Sequence, residues 1–208
     1  MVDQNNTTRF GLIRHAQTVW NRDKKIQGHC DSPLTAEGEK QALCWGQQLA
    51  QFVWDGILSS DAGRAMATAE IINSILKVSL TIDSRLKEQD WGQWEGKTVR
   101  QIEAEAPQVL DAQVNAGWNF CPPGGESRRS VLIRSRQALQ EAAERYTGQQ
   151  LLVVVHEGVV KCLIYHLCNR KFVPGEPAIL KSYQLHRLVS GSDGLEIEEI
   201  NSMALDSW

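Results

Sequence analysis

Three apolar stretches of this sequence are each followed directly by residues that can bind an anion or take part in a reaction. The residues are Arg14 and His15 after 9–13, Ser60, Asp61 and Arg64 after 57–59, and His156 and Glu157 after 151–155. Guanidinium groups donate paired hydrogen bonds that match the oxygens of a phosphate. A neutral imidazole can act as a nucleophile toward phosphorus, which divides one difficult displacement into two easier ones. The residue types therefore indicate phosphoryl chemistry, provided that the fold brings the three segments together.

Short buried strands that alternate with helices would bring these segments together. The aliphatic run 151–155 is typical of a strand that is buried on both faces. Helices are predicted over about 36–53, 61–77, 127–146 and 159–167, with Thr35 and Asp61 as N-caps of the first two. This alternation predicts an α/β fold, a three-layer α/β/α sandwich with a mostly parallel central sheet. Ligands of such a sheet bind beyond the carboxyl ends of the strands, where all three segments lie.

The residue pattern in the middle of the chain predicts a small lid. Residues 98–116 predict one or two helices interrupted near Pro107, and 121–127 is a loop rich in proline and glycine. We expect a single domain over 1–208 in which about 88–126 forms the lid.

The last third predicts two antiparallel strands, because apolar and acidic residues alternate over 195–200 and an apolar stretch precedes them at 180–189. The apolar residues of 180–189 fit either a homodimer contact or an internal edge strand.

Composition and charge argue against several function classes. The 208 residues are 42% hydrophobic and carry a net charge of -3 with both signs interspersed, so we expect neither nucleic acid nor a membrane as partner. No apolar run approaches the roughly 20 residues that span a bilayer, and the start, 1-MVDQNNTTRF-10, is unlike a signal peptide, so we expect a cytoplasmic protein. The five cysteines contain no C-x-x-C pair, which favours free thiols. We expect no metal and no cofactor.

Phosphoryl transfer to an imidazole places demands on the surrounding groups. One ring nitrogen must face phosphorus while the other donates to a carbonyl, and nearby cations must disfavour protonation of the ring. The leaving alkoxide needs a proton from a carboxyl group that stands apart from the arginines. Glu88 and Glu157 are both candidates for this role.

The segment 12-LIRHAQTVWNRDKKIQGHCDSPLTAEGEKQA-42 resembles the signature of the histidine phosphatase superfamily, the phosphoglycerate mutase-like group. Further matches follow in family order at 59-SSDAGRAMATA-69, 86-LKEQDWGQWEGK-97, 123-PGGES-127 and 155-VHEG-158. The resemblance spans 9 to about 165 and implies a phosphoglycerate mutase-like fold. The residues in these motifs look most like those of the small bacterial phosphatases of this group, including the α-ribazole phosphatases.

The resemblance also implies a role for each matching residue. His15 would be phosphorylated in turnover, and Glu88 would act first as general acid and then as the base that activates water. The residues that would hold the phosphoryl group or line the substrate side are Arg14, Asn21, Gln27, Gly28, Arg64 and His156. Three other histidines, His29, His166 and His186, are interpreted as structural or solvent-facing.

Two positions depart from the family pattern. Ala16 replaces the commonest glycine after the first histidine, and Glu157 replaces the commoner glycine after the second. The acid phosphatase and phytase branch has its proton donor at or close to this second position, so Glu157 could be the donor here. Because the block around Glu88 is intact, we assign the proton to Glu88. We expect Glu157 to contribute its backbone amide and to line the substrate entrance.

Three function classes are consistent with these residues. They are a phosphatase that hydrolyses a small phosphorylated metabolite, a cofactor-dependent phosphoglycerate mutase, and a non-catalytic phospholigand-binding protein, which would require a lost catalytic residue. Mutases of the family usually carry a longer insertion than 97–120 before the Pro-Gly loop, so the sequence favours hydrolysis. The substrate stays open, because an aromatic wall and a carboxylate site are both possible. Their residues would be Trp91, Trp94 and Trp118 for the wall, and Arg100, Arg128 and Arg129 for the carboxylate site.

Overall fold

A six-stranded sheet forms the centre of the computed structural model, which describes residues 7–191 and 194–205. The strands are β1 Arg9–Arg14, β2 Gly56–Ser59, β3 Ser79–Ile82, β4 Gln150–Val155, β5 Gln184–Gly191 and β6 Gly194–Ala204. Their order across the sheet is β3-β2-β4-β1-β5-β6. The first four in this order pair in parallel, whereas β5 is antiparallel to both of its neighbours. The prediction of a mostly parallel sheet that ends in two antiparallel strands is confirmed.

Helices connect the strands and cover both faces of the sheet. They are α1 Val19–Arg22, α2 Ala36–Leu49, α3 Gly63–Leu76, α4 Val99–Glu105, α5 Pro107–Asn115, α6 Arg128–Arg145 and α7 Glu157–Leu167. Within the described ranges, no helix is both long and apolar enough to cross a membrane.

One hydrophobic cluster lies on each face of the sheet, between the strands and the helices that cover them. On one face, α6 and α7 pack against strand residues such as Leu12 and Val153. On the other face, α2 and α3 pack against the alternate residues Ile13 and Val154. Successive strand residues point to opposite faces, so both sets must be apolar when helices cover both sides. This arrangement confirms the predicted α/β/α sandwich.

Three predicted helix limits are wrong. Helix α2 ends at Leu49 instead of 53, because the indole of Trp54 donates to the Leu49 carbonyl and the chain turns there, which leaves Val53 79% exposed. Asp61 does not cap α3, which begins two residues later with Ala62 as N-cap. The Asp61 carboxylate instead pairs with Lys87 at 3.1 Å.

The third wrong limit is at α7, which begins at Glu157 instead of 159. The backbone of His156 therefore occupies the N-cap position, so the helix starts directly at the strand end.

The predicted lid region has its own small core. Trp94, Ile102 and Phe120 form a third cluster, with Trp91 and Leu110 packed against it. Helices α4 and α5 meet at Ala106, just before Pro107, as the interrupted pattern predicts. Whether this region acts as a lid stays a prediction.

Strand β5 lies inside the sheet, between β1 and β6. Leu185 and Leu188 are buried there. The structure therefore supports a strand of the sheet at 180–189, but the predicted edge position is wrong, because β6 pairs with the outer side of β5. A homodimer stays a prediction.

Candidate functional site

The two histidines that end apolar stretches lie side by side at the carboxyl edge of the sheet. His15 follows β1, His156 follows the adjacent β4, and the His15 amide extends the ladder by donating to the Val155 carbonyl at 2.9 Å. Their ring centroids are 5.3 Å apart and their planes are tilted by 60°. Both side chains are buried. Parallel pairing of β1 with β4 thus brings together residues that are far apart in sequence.

A backbone contact fixes which nitrogen of His15 is available. Nδ1 lies 2.7 Å from the Ala16 carbonyl oxygen, which can only accept, so Nδ1 carries the proton. Burial, followed by the charges of Arg14 and Arg64, holds the pKa of His15 well below its usual value. The ring is therefore neutral at physiological pH, and its Nε2 carries a free lone pair. This is the state that a nucleophilic imidazole requires.

His156 contacts the end of a third strand. Its Nε2 lies 2.9 Å from the hydroxyl of Ser60, which follows β2. That hydroxyl also accepts a hydrogen bond from the Ala62 amide, which leaves its own proton free to be donated to Nε2. With Nε2 as acceptor, Nδ1 of a neutral ring is the donor. Burial, and next the charge of Arg64, keep the pKa of His156 well below its usual value.

Arg64 enters the site from the first turn of α3 and is only 1% exposed. Its Nη1 donates to the Asp31 carboxylate at 2.9 Å and to the Cys30 carbonyl at 3.0 Å. Its Nη2 donates to the Gly28 carbonyl at 2.8 Å. These contacts fix the guanidinium rigidly while they leave Nε unused.

Arg14, the last residue of β1, is held by a single carboxylate. Its Nη1 donates to Glu157 Oε2 at 2.5 Å, and Glu157 Oε1 accepts from Lys161 at 2.5 Å, one helical turn further along α7. Burial raises the pKa of Glu157, but the attraction of Arg14 and Lys161 outweighs it and leaves the pKa below its ordinary value. Glu157 is therefore an anion that partly neutralises the cationic site.

Three buried donors of the site have no hydrogen-bond partner in the part of the chain that the structure describes. They are Arg14 Nε, Arg64 Nε and His156 Nδ1. A buried donor without a partner costs roughly 1–3 kcal/mol, so proteins rarely leave several of them together. An oxyanion bound between the two arginines and His156 would supply acceptors for all three.

Glu88 lies at the amino end of α7. Its Oε2 accepts from the Gly158 amide at 3.1 Å and its Oε1 from the Gln89 amide at 2.8 Å. Arg134 fixes the backbone here, since it donates to the carbonyls of Lys87 and Glu88 at 2.6 and 2.9 Å. Sequence reasoning missed this arginine, which no motif marks.

Arg134 in turn pairs with Glu126 at 2.8 Å. Glu126 belongs to the motif 123-PGGES-127, but the motif alone did not indicate the partner of this glutamate. The ion pair links the Pro-Gly loop to the backbone of Glu88.

The loop that carries Gln27 and Gly28 is organised by Glu95, another residue that sequence reasoning left without a role. Its carboxylate accepts from the His29 amide at 2.6 Å and from the Cys30 amide at 3.1 Å. Gly28 has a φ of +55°, and a Cβ at this position would collide with the Glu95 carboxylate. The loop therefore needs glycine here, and it presents the carbonyl that Arg64 binds.

The residues predicted to bind the phosphoryl group or to act in catalysis line one cleft of about 400 Å³, except His156, whose ring lies 5.3 Å from that of His15. The predicted residues in its lining are Arg14, His15, Asn21, Gln27, Gly28, Arg64, Glu88 and Glu157. Asn21 and Gln27 both bond to Thr18 through their side-chain oxygens, at 3.2 and 3.1 Å. Their amide NH₂ groups are the donors that remain for a ligand.

The sequence model of the histidine phosphatase superfamily (branch 1) matches residues 10–203. The chain belongs to this superfamily. Among curated relatives, the "Probable phosphoglycerate mutase GpmB" of Salmonella choleraesuis (strain SC-B67) is 38% identical over 74% of this chain and 71% of the relative.

Solved structures of bacterial proteins align over nearly the whole of this chain. Bacillus stearothermophilus YhfR has a TM-score of 0.86 at 29% identity, over 95% of this chain and 98% of that one. The α-ribazole phosphatase of Shigella flexneri has a TM-score of 0.77 at 27% identity, over 95% and 98%. The predicted family and its likeness to α-ribazole phosphatases are confirmed, and the family contains both phosphatases and mutases.

The other histidines of the chain lie outside the cluster of three donors. His29 is exposed, but its Nε2 lies 3.0 Å from the Glu88 carbonyl, so it supports the backbone of Glu88. His166 contacts Arg136, and the buried His186 accepts from the Asn201 amide. No group of three or more His, Cys, Asp or Glu suited to a metal occurs in 7–191 and 194–205.

Proposed function

We propose that this histidine phosphatase hydrolyses a small phosphomonoester through a phosphohistidine intermediate on His15. The observation that carries the proposal is the position of a neutral imidazole, with a free Nε2, beside three buried donors that have no partner. Such a site is complementary to a phosphoryl group and supplies a nucleophile for it.

In the first step, His15 Nε2 attacks phosphorus and the bond between phosphorus and the ester oxygen breaks. Arg14, Arg64 and His156 donate to the non-bridging oxygens, on which negative charge is spread in the transition state. Glu88 donates its proton to the departing oxygen, and an alcohol leaves. The phosphoryl group is now bound to Nε2, while Nδ1 still donates to the Ala16 carbonyl.

In the second step, the Glu88 carboxylate takes a proton from water as the water oxygen attacks phosphorus. The bond between phosphorus and Nε2 breaks, inorganic phosphate forms, and His15 returns to its neutral state with Glu88 protonated. The Gly158 and Gln89 amides hold the carboxyl group in one position through both steps. Glu157 is a less suitable donor, because its carboxylate is engaged by Arg14 and Lys161 and its pKa lies below the ordinary value.

Phosphoglycerate mutase-type transfer is the second candidate. The relative named as a mutase, at 38% identity, favours it, whereas the solved α-ribazole phosphatase favours hydrolysis. The short 97–120 segment supports hydrolysis, because it places only two short helices, α4 and α5, where mutases usually carry a longer insertion.

We also propose a cytoplasmic location, supported by the free thiols of Cys30, Cys121, Cys162 and Cys168.

The test is a panel of phosphorylated metabolites and phenyl phosphate, assayed for release of inorganic phosphate by wild type and by His15→Ala. We expect release by wild type and a loss of at least about a thousandfold in the variant, since the covalent route is removed. His166→Ala, which alters a histidine outside the cleft, is the matched control and should retain activity.

Phosphoryl exchange between two phosphoglycerates, dependent on a bisphosphate primer and without net phosphate release, would overturn the hydrolase proposal in favour of the mutase. Acid-quenched wild type incubated with substrate should carry phosphate on His15. A label on any other residue would refute the assignment of the nucleophile.

A further inference from the structure

Arg128, at the start of α6, is a cation of the cleft that has no carboxylate partner in the described residues. Its guanidinium is sandwiched between two aromatic rings, with Cζ 4.2 Å from the ring centre of Phe120 and 3.9 Å from that of Phe172. Nη1 donates to the carbonyls of Gly117 and Phe172 at 3.0 and 3.2 Å. The group is therefore held rigidly, while Nε and Nη2 make no hydrogen bond to the described chain.

We propose that Arg128 binds a second anionic group, a carboxylate or a second phosphate, on the alcohol part of the substrate. This inference rests on the proposed function, because it assigns the alcohol part of the phosphomonoester to the Arg128 side of the cleft. It names a class of substrate and a residue that determines specificity.

The position of Arg128 relative to the proton donor supports this assignment. Glu88 is held by the Gly158 amide in the first turn of α7, and Cys162 lies one turn further along the same helix. Arg128, Cys162 and Glu88 all line the same cleft. A substrate whose ester oxygen takes the proton from Glu88 can therefore place an anionic group of its alcohol part at Arg128.

The other cations that line or flank the cleft differ from Arg128, and Lys25, which lines it, is exposed with its ammonium 5.9 Å from the centre of the Trp20 ring. Lys161 pairs with Glu157. Arg129 is exposed and donates to the Asn119 side chain at 3.0 Å. Burial lowers the pKa of Arg128 to about 10, so it remains a cation at neutral pH while it is only weakly hydrated. A partly desolvated guanidinium with free donors is a strong site for an oxyanion.

The surroundings also constrain the rest of the alcohol. The apolar side chains of Trp91, Ile26 and Phe172 also line the cleft. Of the three tryptophans considered from the sequence, Trp94 is buried in the lid core, and Trp118 packs edge-on against Phe172. We therefore expect an alcohol with a compact apolar or planar body and one acidic substituent.

Three aryl phosphates test the inference, all with the substituent in the same ring position. They are 3-carboxyphenyl phosphate, 3-phosphonophenyl phosphate and the uncharged 3-carbamoylphenyl phosphate. In wild type we expect kcat/KM for at least one charged compound to exceed that for the uncharged compound by about tenfold. Arg128→Gln should lower this ratio toward one. Arg129→Gln, which removes the same charge one residue away, should keep it.

Each ratio compares two substrates on one protein, so a partly unfolded variant does not distort it. The larger of the two charged ratios identifies the anion as a carboxylate or a second phosphate. Equal values for all three compounds in wild type, with phenyl phosphate hydrolysed in a manner dependent on His15, would overturn the subsite and leave the phosphatase proposal intact. A ratio retained in Arg128→Gln would overturn it too.

If wild type hydrolyses none of the three compounds and also releases no phosphate from the metabolite panel or phenyl phosphate, the phosphatase proposal fails, and calorimetric titration of the three compounds decides on the subsite. Tighter binding of a charged compound to wild type than to Arg128→Gln would support it. Equal binding would overturn it.

Discussion

Glu157→Gln should increase the affinity of this protein for inorganic phosphate. In the structure the Glu157 carboxylate accepts from Arg14 and Lys161, both at 2.5 Å, so it offsets the positive charge that faces a phosphate. Glutamine has nearly the same shape and keeps an oxygen that can accept from Arg14. The substitution therefore removes the negative charge while it largely preserves the position of the guanidinium.

The magnitude follows from Coulomb's law. A phosphate on the other side of the Arg14 guanidinium lies roughly 7 Å from the carboxylate, which is the width of the group plus two hydrogen bonds. Because the Glu157 side chain is 46% exposed, an effective dielectric constant of about 60 is appropriate, and repulsion of a dianion is on the order of 1.5 kcal/mol. We therefore expect a dissociation constant about tenfold lower in the variant.

The assay is competitive inhibition by inorganic phosphate of phenyl phosphate hydrolysis, at about 20 mM and about 500 mM salt. The difference should shrink at high salt, where the screening length falls to a few ångströms, about 4 Å. Glu70→Gln removes the same charge from an exposed position on α3 and should leave the inhibition constant unchanged. An inhibition constant in Glu157→Gln that is equal to or higher than that of wild type at low salt would refute the reasoning. Glu157 would then serve to orient Arg14.

Other single changes test separate parts of the site and the fold. Glu88→Gln should lower kcat/KM, which reports the first step alone, by about a hundredfold or more for alkyl phosphates but less for 4-nitrophenyl phosphate, whose leaving group needs no proton; equal losses in kcat/KM would argue against Glu88 as the acid. Gly28→Ala should lower the free energy of unfolding by about 1 kcal/mol or more in urea titrations, because of the positive φ and the clash with Glu95. Burial lowers the pKa of His186 to about 4, so the unfolded state binds its proton first as the pH falls. Unfolding free energy should therefore fall between about pH 6.5 and pH 4, by up to ~1.4 kcal/mol per pH unit from this group, and His186→Gln should reduce that slope in urea titrations at several pH values.

The sequence was sufficient for the parts of the site that the sheet positions. His15 and His156 could be placed together because each follows an aliphatic strand, and parallel strands end at one edge. The structure confirms this convergence, since β1 and β4 pair directly. Which residues of α2 are buried was less predictable. Leu43 is 45% exposed, whereas Trp45 is fully buried and donates to the Leu205 carbonyl, a partner that is remote in sequence.

Contacts between distant loops could not be predicted from patterns of residues. Asp61 has the residue type of an N-cap, but the competing attraction of Lys87 holds its carboxylate away from α3. Glu95 and Arg134 bind backbone groups of loops, and such contacts leave no periodicity or spacing in the sequence. Only the fold brings their partners within reach.

The two departures from the family pattern have different consequences because of where the structure places them. Ala16 is buried, and its carbonyl fixes the tautomer of His15, a role that depends on the backbone and tolerates a small side chain. Glu157 is the first residue of α7, where the backbone has no special requirement but a side chain points along the rim of the cleft. The carboxylate engages Arg14 and Lys161, whereas Arg128 has no carboxylate partner within the described part of the chain. The charge that this chain adds at Glu157 therefore weakens attraction for anions near Arg14 and leaves Arg128 as the stronger site for a second acidic group of the substrate.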